Sequence, residues 1–186
     1  MTRLMVVGAL ACALAAAPLS ASTFLAMQGS ELVAQSDAVV VGEVLYTYSY
    51  WNREGTMVFT DAVVHVQEAV LGKASGLVTV RTPGGQVAGF RVEAEGFPAF
   101  GAGQRQVLYL HRAGDGVMEV TGFQQGQYRV ITRSDGVEVA VPALKGARLL
   151  FASGAPAPLP RAMELDTLKH SIQAEAQGLG RQPRVK

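Results

Sequence analysis

The chain of 186 residues is long enough for one domain with short appendages. Its hydrophobic fraction of 49% supports a buried core, and its formal net charge of +1 is close to neutral. Nucleic acid is therefore not the expected partner, because phosphate binding depends on concentrated positive charge. The single cysteine also excludes an internal disulfide.

Residues 1–21 have the pattern of a secretory signal peptide. Arg3 supplies the positive end, an apolar run follows, and small residues precede the expected cleavage site. We expect cleavage after Ala21, with cleavage after Ser22 as the alternative, and export to the periplasm or the extracellular space. The apolar run is too short and alanine-rich to predict a stable membrane span. A lipidated Cys12 is a second interpretation of the same segment.

The next segments predict a short helix and a pair of strands. Residues 30–35 suit a helix with Ser30 as its N-cap. Residues 38–45 are almost continuously apolar, which is typical of a strand covered on both faces. After a polar turn, residues 58–67 alternate, so that the face of Val64 is the better core face and the face of His65 is more polar.

The middle of the chain reads as a series of short strands between glycine-rich turns. A third strand covers residues 77–82, with Val78 and Val80 pointing inward. Residues 86–95 favour a further strand, with an excursion from the barrel as the alternative. Additional strands are predicted at residues 104–111, 117–123, 127–132 and 137–141. This regular spacing indicates an antiparallel barrel or sandwich.

The composition changes near the C-terminus. The barrel domain is predicted to cover residues 22–146, followed by a proline- and alanine-rich linker over residues 147–162. Residues 163–180 contain a helix that Asp166 can cap, and residues 181–186 form a polar tail expected to be disordered. The apolar stripe of that helix consists of Leu165, Leu168, Ile172 and Ala176.

These segments together resemble a known domain over roughly residues 30–132. Ser36-Asp37 leads an apolar strand, and a long alternating strand closes at Gly72-Lys73. The strands LVTVRT at 77–82 and QRQVLYL at 104–110 follow. This layout resembles the netrin-like (NTR) domain, best known from the tissue inhibitors of metalloproteinases, and it resembles secreted bacterial β-proteins with similar segments. The resemblance implies an all-β fold: an OB-like antiparallel barrel with a short N-terminal helix and a C-terminal helix.

The resemblance also implies a protein partner, with a secreted protease as the candidate. In those inhibitors the N-terminal segment enters the protease cleft, and a terminal cysteine and amine bind the zinc. Here the mature chain has no cysteine, so the zinc-chelating residue has no counterpart. Thr23 and Phe24 are the candidate contacts in this segment, with Phe24 the expected anchor if the segment packs on the barrel.

No catalytic pattern stands out, so we predict a protein that is not an enzyme and uses no cofactor or metal. His65, His111 and His170 lack the spacing of a zinc site and are expected at the surface. Glu93 and Glu95 share one face of a possible strand, where a solvated edge is the favoured interpretation over an acid–base pair. An enzyme with an unrecognised site is retained as an alternative.

Aromatic residues are the candidate binding residues. Tyr46, Tyr48 and Tyr50 lie on one face of the first strand, with Trp51 at the hairpin tip. They either form a binding surface or pack over the barrel. Phe97 and Phe100 lie in the 96–103 loop and either plug the barrel or form an exposed patch. An envelope glycan is the alternative partner to a protein.

Overall fold

The computed structural model describes residues 23–144 and 147–181. The predicted signal peptide, Cys12 and the cleavage site at Ala21 and Ser22 therefore lie outside the described residues, as do residues 182–186 of the predicted tail. The fold is mostly β, with 47% of the described residues in strands and 17% in helices. Within the described segments, a closed five-stranded barrel and two α-helices confirm the predicted all-β barrel with small helices.

The described residues form two α-helices and twelve β-strands. The helices are α1 (Gly29–Gln35) and α2 (Leu165–Gly178). The strands are β1 (Thr23–Leu25), β2 (Ala38–Trp51), β3 (Val58–Leu71), β4 (Gly76–Pro83), β5 (Gly85–Val87), β6 (Phe90–Val92), β7 (Arg105–Arg112), β8 (Met118–Val120), β9 (Gln127–Thr132), β10 (Glu138–Pro142), β11 (Arg148–Leu150) and β12 (Met163–Glu164).

The barrel is the ring β2–β3–β4–β8–β7, which closes where β7 pairs with β2. The pairings of β2 with β3, β3 with β4, and β7 with both β2 and β8 are antiparallel. The seam differs from the antiparallel prediction, because β4 and β8 are parallel. Between them the chain makes an excursion and adds β7, so that β8 returns in the direction of β4.

Two hydrophobic cores lie on opposite sides of the same strands. The barrel interior contains Val40, Val44, Val64, Val80 and Leu108. The second core packs α1 and α2 against the outside of the barrel and contains Val39, Val41, Val107, Tyr109, Tyr128, Leu168 and Ile172. Successive residues of a strand point to opposite faces, so β2 contributes to both cores. This double burial explains the continuous apolar run of its first half.

Both helices begin at other residues than predicted. The N-cap of α1 is Gln28, whose backbone N–H donates to the Glu31 carboxylate, and Ser30 lies within the helix. The N-cap of α2 is Glu164, and Asp166 lies in the first turn. The predicted apolar stripe of α2 is correct, since all four of its residues are buried.

The strand boundaries differ from prediction in three places. Residues 86–95 are the excursion rather than a barrel strand, because β5 and β6 pair only with each other. The predicted strand 117–123 ends at Val120, where Gly122 and Phe123 both adopt positive φ and lead into a 3-10 turn. Within the predicted linker, β11 pairs in parallel with β1.

Candidate functional site

The outer surface of β2, β3 and β4 carries an aromatic group that we name the tyrosine face: Tyr46, Tyr48, Tyr50 and Phe59. At its centre Asp61 is only 2% exposed, although it lies on the face of β3 predicted to be the more polar one. Arg81 lies opposite Asp61 on β4 and donates to both carboxylate oxygens, over 2.8 and 2.9 Å. The buried carboxylate is therefore paired and hydrogen-bonded, as burial of a charge requires.

Two tyrosines complete this network. The Tyr48 hydroxyl donates to Asp61 over 3.3 Å, and the Tyr50 hydroxyl donates over 3.2 Å. Partial desolvation and the Asp61 charge raise the pKa of both tyrosines, so both stay neutral donors at ordinary pH. The Arg81 guanidinium also lies 5.6 Å from the Tyr50 ring and 5.9 Å from the Phe59 ring, within cation–π range.

The rings form an ordered but accessible surface. Tyr48 and Tyr50 are stacked with centroids 5.8 Å apart, and Tyr50 lies 6.4 Å from Phe59. Tyr46 and Tyr48 are 54% and 49% exposed. Trp51 is 43% exposed and follows Tyr50 in the same strand, so its side chain points to the other face of the sheet. The tyrosines thus lie together, and Trp51 does not belong to their surface.

A second candidate site is a pocket of about 570 Å³ at the end of the barrel. It lies between the β5–β6 hairpin and the segment 93–100, and both Phe97 and Phe100 line it. Phe100 also packs against the barrel core, and the Phe97 ring contacts Phe123 edge-on with centroids 4.9 Å apart. Both phenylalanines are half-buried, which places them as wall residues rather than as a protruding patch.

The N-terminal segment packs beside this pocket. Phe24 lies 5.1 Å from Phe123, between ring centroids, and against the backbone of Gly96. Gln125 fixes the flanking backbone, since its side chain accepts from the Met27 N–H over 2.8 Å and donates to the Leu25 carbonyl over 3.0 Å. Thr23 is exposed in this arrangement. Phe24 therefore anchors the segment on the barrel.

The remaining titratable candidates are dispersed. His65 and His170 are exposed, and His111 is partly exposed, with Nε2 3.7 Å from a Glu119 oxygen. Glu93 is paired with Arg91 at the protein surface. Within residues 23–144 and 147–181, no group of three or more His, Cys, Asp or Glu side chains could hold a metal ion. No helix of these described segments is long and apolar enough to cross a membrane.

Sequence reasoning missed Asp61 and Arg81. An aspartate and an arginine in alternating strands are ordinary surface residues as far as composition and period can show. Only the cross-strand register, which pairs these two positions, turns them into the centre of the site. The signal available in the sequence was Asp61 itself, the one charged residue in the stretch VFTDAVV at 58–64.

Comparisons with protein-family models, with curated proteins and with solved structures find no match for this chain. The tyrosine face, the pocket and the N-terminal segment are therefore the features of this chain that bear on its function.

Proposed function

We propose that the chain is an exported, non-catalytic binding module that recognises a protein partner through the tyrosine face. The observation that carries this proposal is the network around Asp61, which satisfies the tyrosine hydroxyls internally while half of the Tyr48 side chain stays exposed. A partner thus meets ring surfaces held in place before binding. Such surfaces bind well because little side-chain freedom is lost, and tyrosine and arginine are enriched among the residues that dominate interface energies.

The architecture supports the same surface. In OB barrels, five strands form the barrel, and ligands bind on the second and third strands and the adjoining loops. The second and third strands of this ring are β3 and β4, which carry Phe59, Asp61 and Arg81. We therefore propose an OB-like barrel related to the netrin-like domain, whose binding surface includes the second and third strands and extends onto β2, where the three tyrosines lie.

The ordered N-terminal segment favours one kind of binding module, a protease inhibitor. Ordering a free segment costs on the order of 1–2 kcal/mol per residue, which weakens binding. Here β1 is already paired with β11, and Phe24 is packed, so much of that cost is met before a partner arrives. The test compares the chain beginning at Ser22 with one lacking residues 22–25 against a panel of secreted metalloproteases. Identical inhibition constants for the two chains would rule out inhibition through the N-terminal segment and would leave the tyrosine face as the proposed binding surface.

An envelope glycan is the alternative partner, favoured by the near-parallel stacking of Tyr48 and Tyr50, with an interplanar angle of 28°. The apolar face of an exposed aromatic ring can pack against the apolar face of a sugar as well as against the side chains of a protein partner. Glycan-array binding that is lost in Tyr48→Ala or Trp51→Ala would favour this partner. Because Tyr48 and Trp51 lie on opposite faces of the sheet, the variant that loses binding shows which face holds the glycan.

The main proposal is tested by capture with matched variants. The chain from Ser22 and its Tyr48→Ser and Ile131→Ser variants are immobilised and exposed to the periplasmic and secreted proteins of the source cells. Ile131 is about as exposed as Tyr48 but lies on β9. We expect a protein that wild type and Ile131→Ser retain equally and that Tyr48→Ser retains about tenfold less. Equal retention by both variants would contradict the role of the tyrosine face. A hydrolytic activity abolished by a point mutation would overturn the non-catalytic assignment.

A further inference from the structure

The pocket at the end of the barrel is lined by two phenylalanines, Phe97 and Phe100. We propose that it binds a planar aromatic group, and that Phe24 of the N-terminal strand holds its wall in place. This inference goes beyond the proposed function, which rests on the tyrosine face, and a free aromatic molecule tests it without any partner. The pocket volume of about 570 Å³ lies within the range of small-molecule sites.

The side-chain hydroxyls in the pocket wall already have partners. Thr82 Oγ1 donates to the Pro98 carbonyl over 3.0 Å, and Thr60 Oγ1 donates to the Gly84 carbonyl over 2.7 Å. Both bonds tie the wall to the end of the barrel. A polar ligand would have to compete with these bonds, and breaking them would leave buried groups unsatisfied.

The backbone of residues 97–99, which also line the pocket, is hydrogen-bonded as well. The Phe97 N–H donates to the Ala94 carbonyl over 3.3 Å, and the Phe97 carbonyl accepts from the Gln124 side chain over 2.9 Å. The Ala99 carbonyl accepts from Gln127 over 2.8 Å, and Gln127 is buried. These backbone groups of the wall are therefore already engaged with polar groups of the protein itself.

What the pocket offers instead is apolar surface. This surface belongs to Val92, Phe97, Pro98 and Phe100. The lining also includes the polar side chains of Gln86, Arg91, Glu93, Glu95 and Gln124, of which Arg91 and Glu93 are paired with each other and largely exposed. Phenylalanine rings attract another ring beyond the gain from area alone, in edge-to-face or offset geometry. This chemistry favours an aromatic guest over an aliphatic one of similar size.

Phe24 supports this wall from behind. Its ring fills the space beside Gly96, where a Cβ would overlap it, and Gly96 is itself a pocket residue. Phe123 lies between Phe24 and Phe97, with centroids 5.1 and 4.9 Å away. Loss of the Phe24 ring would therefore open a void directly behind the pocket wall.

The probe is indole, titrated into the isotopically labelled chain from Ser22 and followed by backbone amide shifts. We expect saturable shifts at residues 84–86 and 94–100, and at least about fivefold weaker binding of cyclohexanol, which lacks an aromatic ring. Absence of saturable shifts in the pocket, or shifts confined to the tyrosine face, would overturn the proposed site. Equal affinity for cyclohexanol would overturn its aromatic preference.

The role of Phe24 is tested by Phe24→Ala, with Leu25→Ala as the matched control because Leu25 is exposed in the same strand. We expect about five- to tenfold weaker indole binding in Phe24→Ala and faster amide exchange at residues 94–100, with the control unchanged. If Phe24→Ala is too unstable to titrate, Phe24→Leu keeps the fold and should give an intermediate loss. Wild-type affinity and exchange in a folded Phe24 variant would overturn the supporting role.

Discussion

A carboxylate inserted on either face of β3 gives the sharpest test of the fold. Val64→Asp places it inside the barrel, where Val64 is fully buried between Val44 on β2 and Val78 on β4. His65→Asp places the same group one residue along, on the exposed face. The two variants differ in position by a single residue and introduce identical side chains.

The expected magnitudes are far apart. Removing the Val64 side chain from the core forfeits about 1.5–3 kcal/mol of burial. Neutralising an aspartate with an ordinary pKa of about 3.9 at pH 7 requires a further 4 kcal/mol or so, at about 1.4 kcal/mol per pH unit. The sum of about 5.5–7 kcal/mol reaches the total stability of many domains. For His65→Asp we expect a loss of stability of at most about 1 kcal/mol, because the site is exposed. This small loss comes from like-charge repulsion with Glu43, which lies directly opposite on β2.

Urea unfolding followed by circular dichroism measures both variants. At pH 7, Val64→Asp should show little or no cooperative unfolding, and His65→Asp should unfold almost as wild type does. Lowering the pH from about 7 to 4 removes most of the neutralisation cost. Val64→Asp should therefore gain stability relative to wild type as the pH falls. Equal losses in the two variants at pH 7 would show that the register of β3 is wrong, because a shift of one residue exchanges the two faces.

Three further predictions concern other parts of the molecule. Arg81→Met should destabilise the fold by about 3–5 kcal/mol, because the variant leaves the buried Asp61 carboxylate without its cation. Asp61→Ala should destabilise it less, and equal urea midpoints for the two variants would contradict this. Gly96→Ala should destabilise by about 2 kcal/mol or more, since its φ is +80° and the new Cβ would overlap the Phe24 ring. A double-mutant cycle with Phe24→Ala should recover part of that loss, whereas strict additivity would refute the contact. Burial raises the pKa of Tyr109 above its ordinary value of 10.0, so the unfolded chain releases this proton first and stability falls as the pH rises above about 10. Tyr109→Phe should lessen that fall in urea titrations at alkaline pH, and an unchanged slope would contradict the argument.

Parts of the candidate site followed from local pattern alone. The three tyrosines alternate along one strand, so their common face was predictable from the period of two residues. The expected anchoring by Phe24, conditional on the segment packing, also followed from the sequence, because Phe24 is the large aromatic residue of that segment. The partners of Phe24 did not follow. Gly96 and Phe123 are distant in the chain, and no local pattern links them to it.

Local sequence patterns were enough to predict the fold class, the positions of most barrel strands and the apolar stripe of α2. These properties depend on which side chains recur at a period of 2 or 3.6 residues, and that information is local. Three features are visible only in the folded chain: the parallel seam of β4 with β8, the pairing of β1 with β11, and the contact of Asp61 with Arg81. Each of these depends on the register between segments that are distant in the chain. Many registers satisfy the same local pattern, and only the simultaneous burial of two cores and the pairing of a buried charge select one of them.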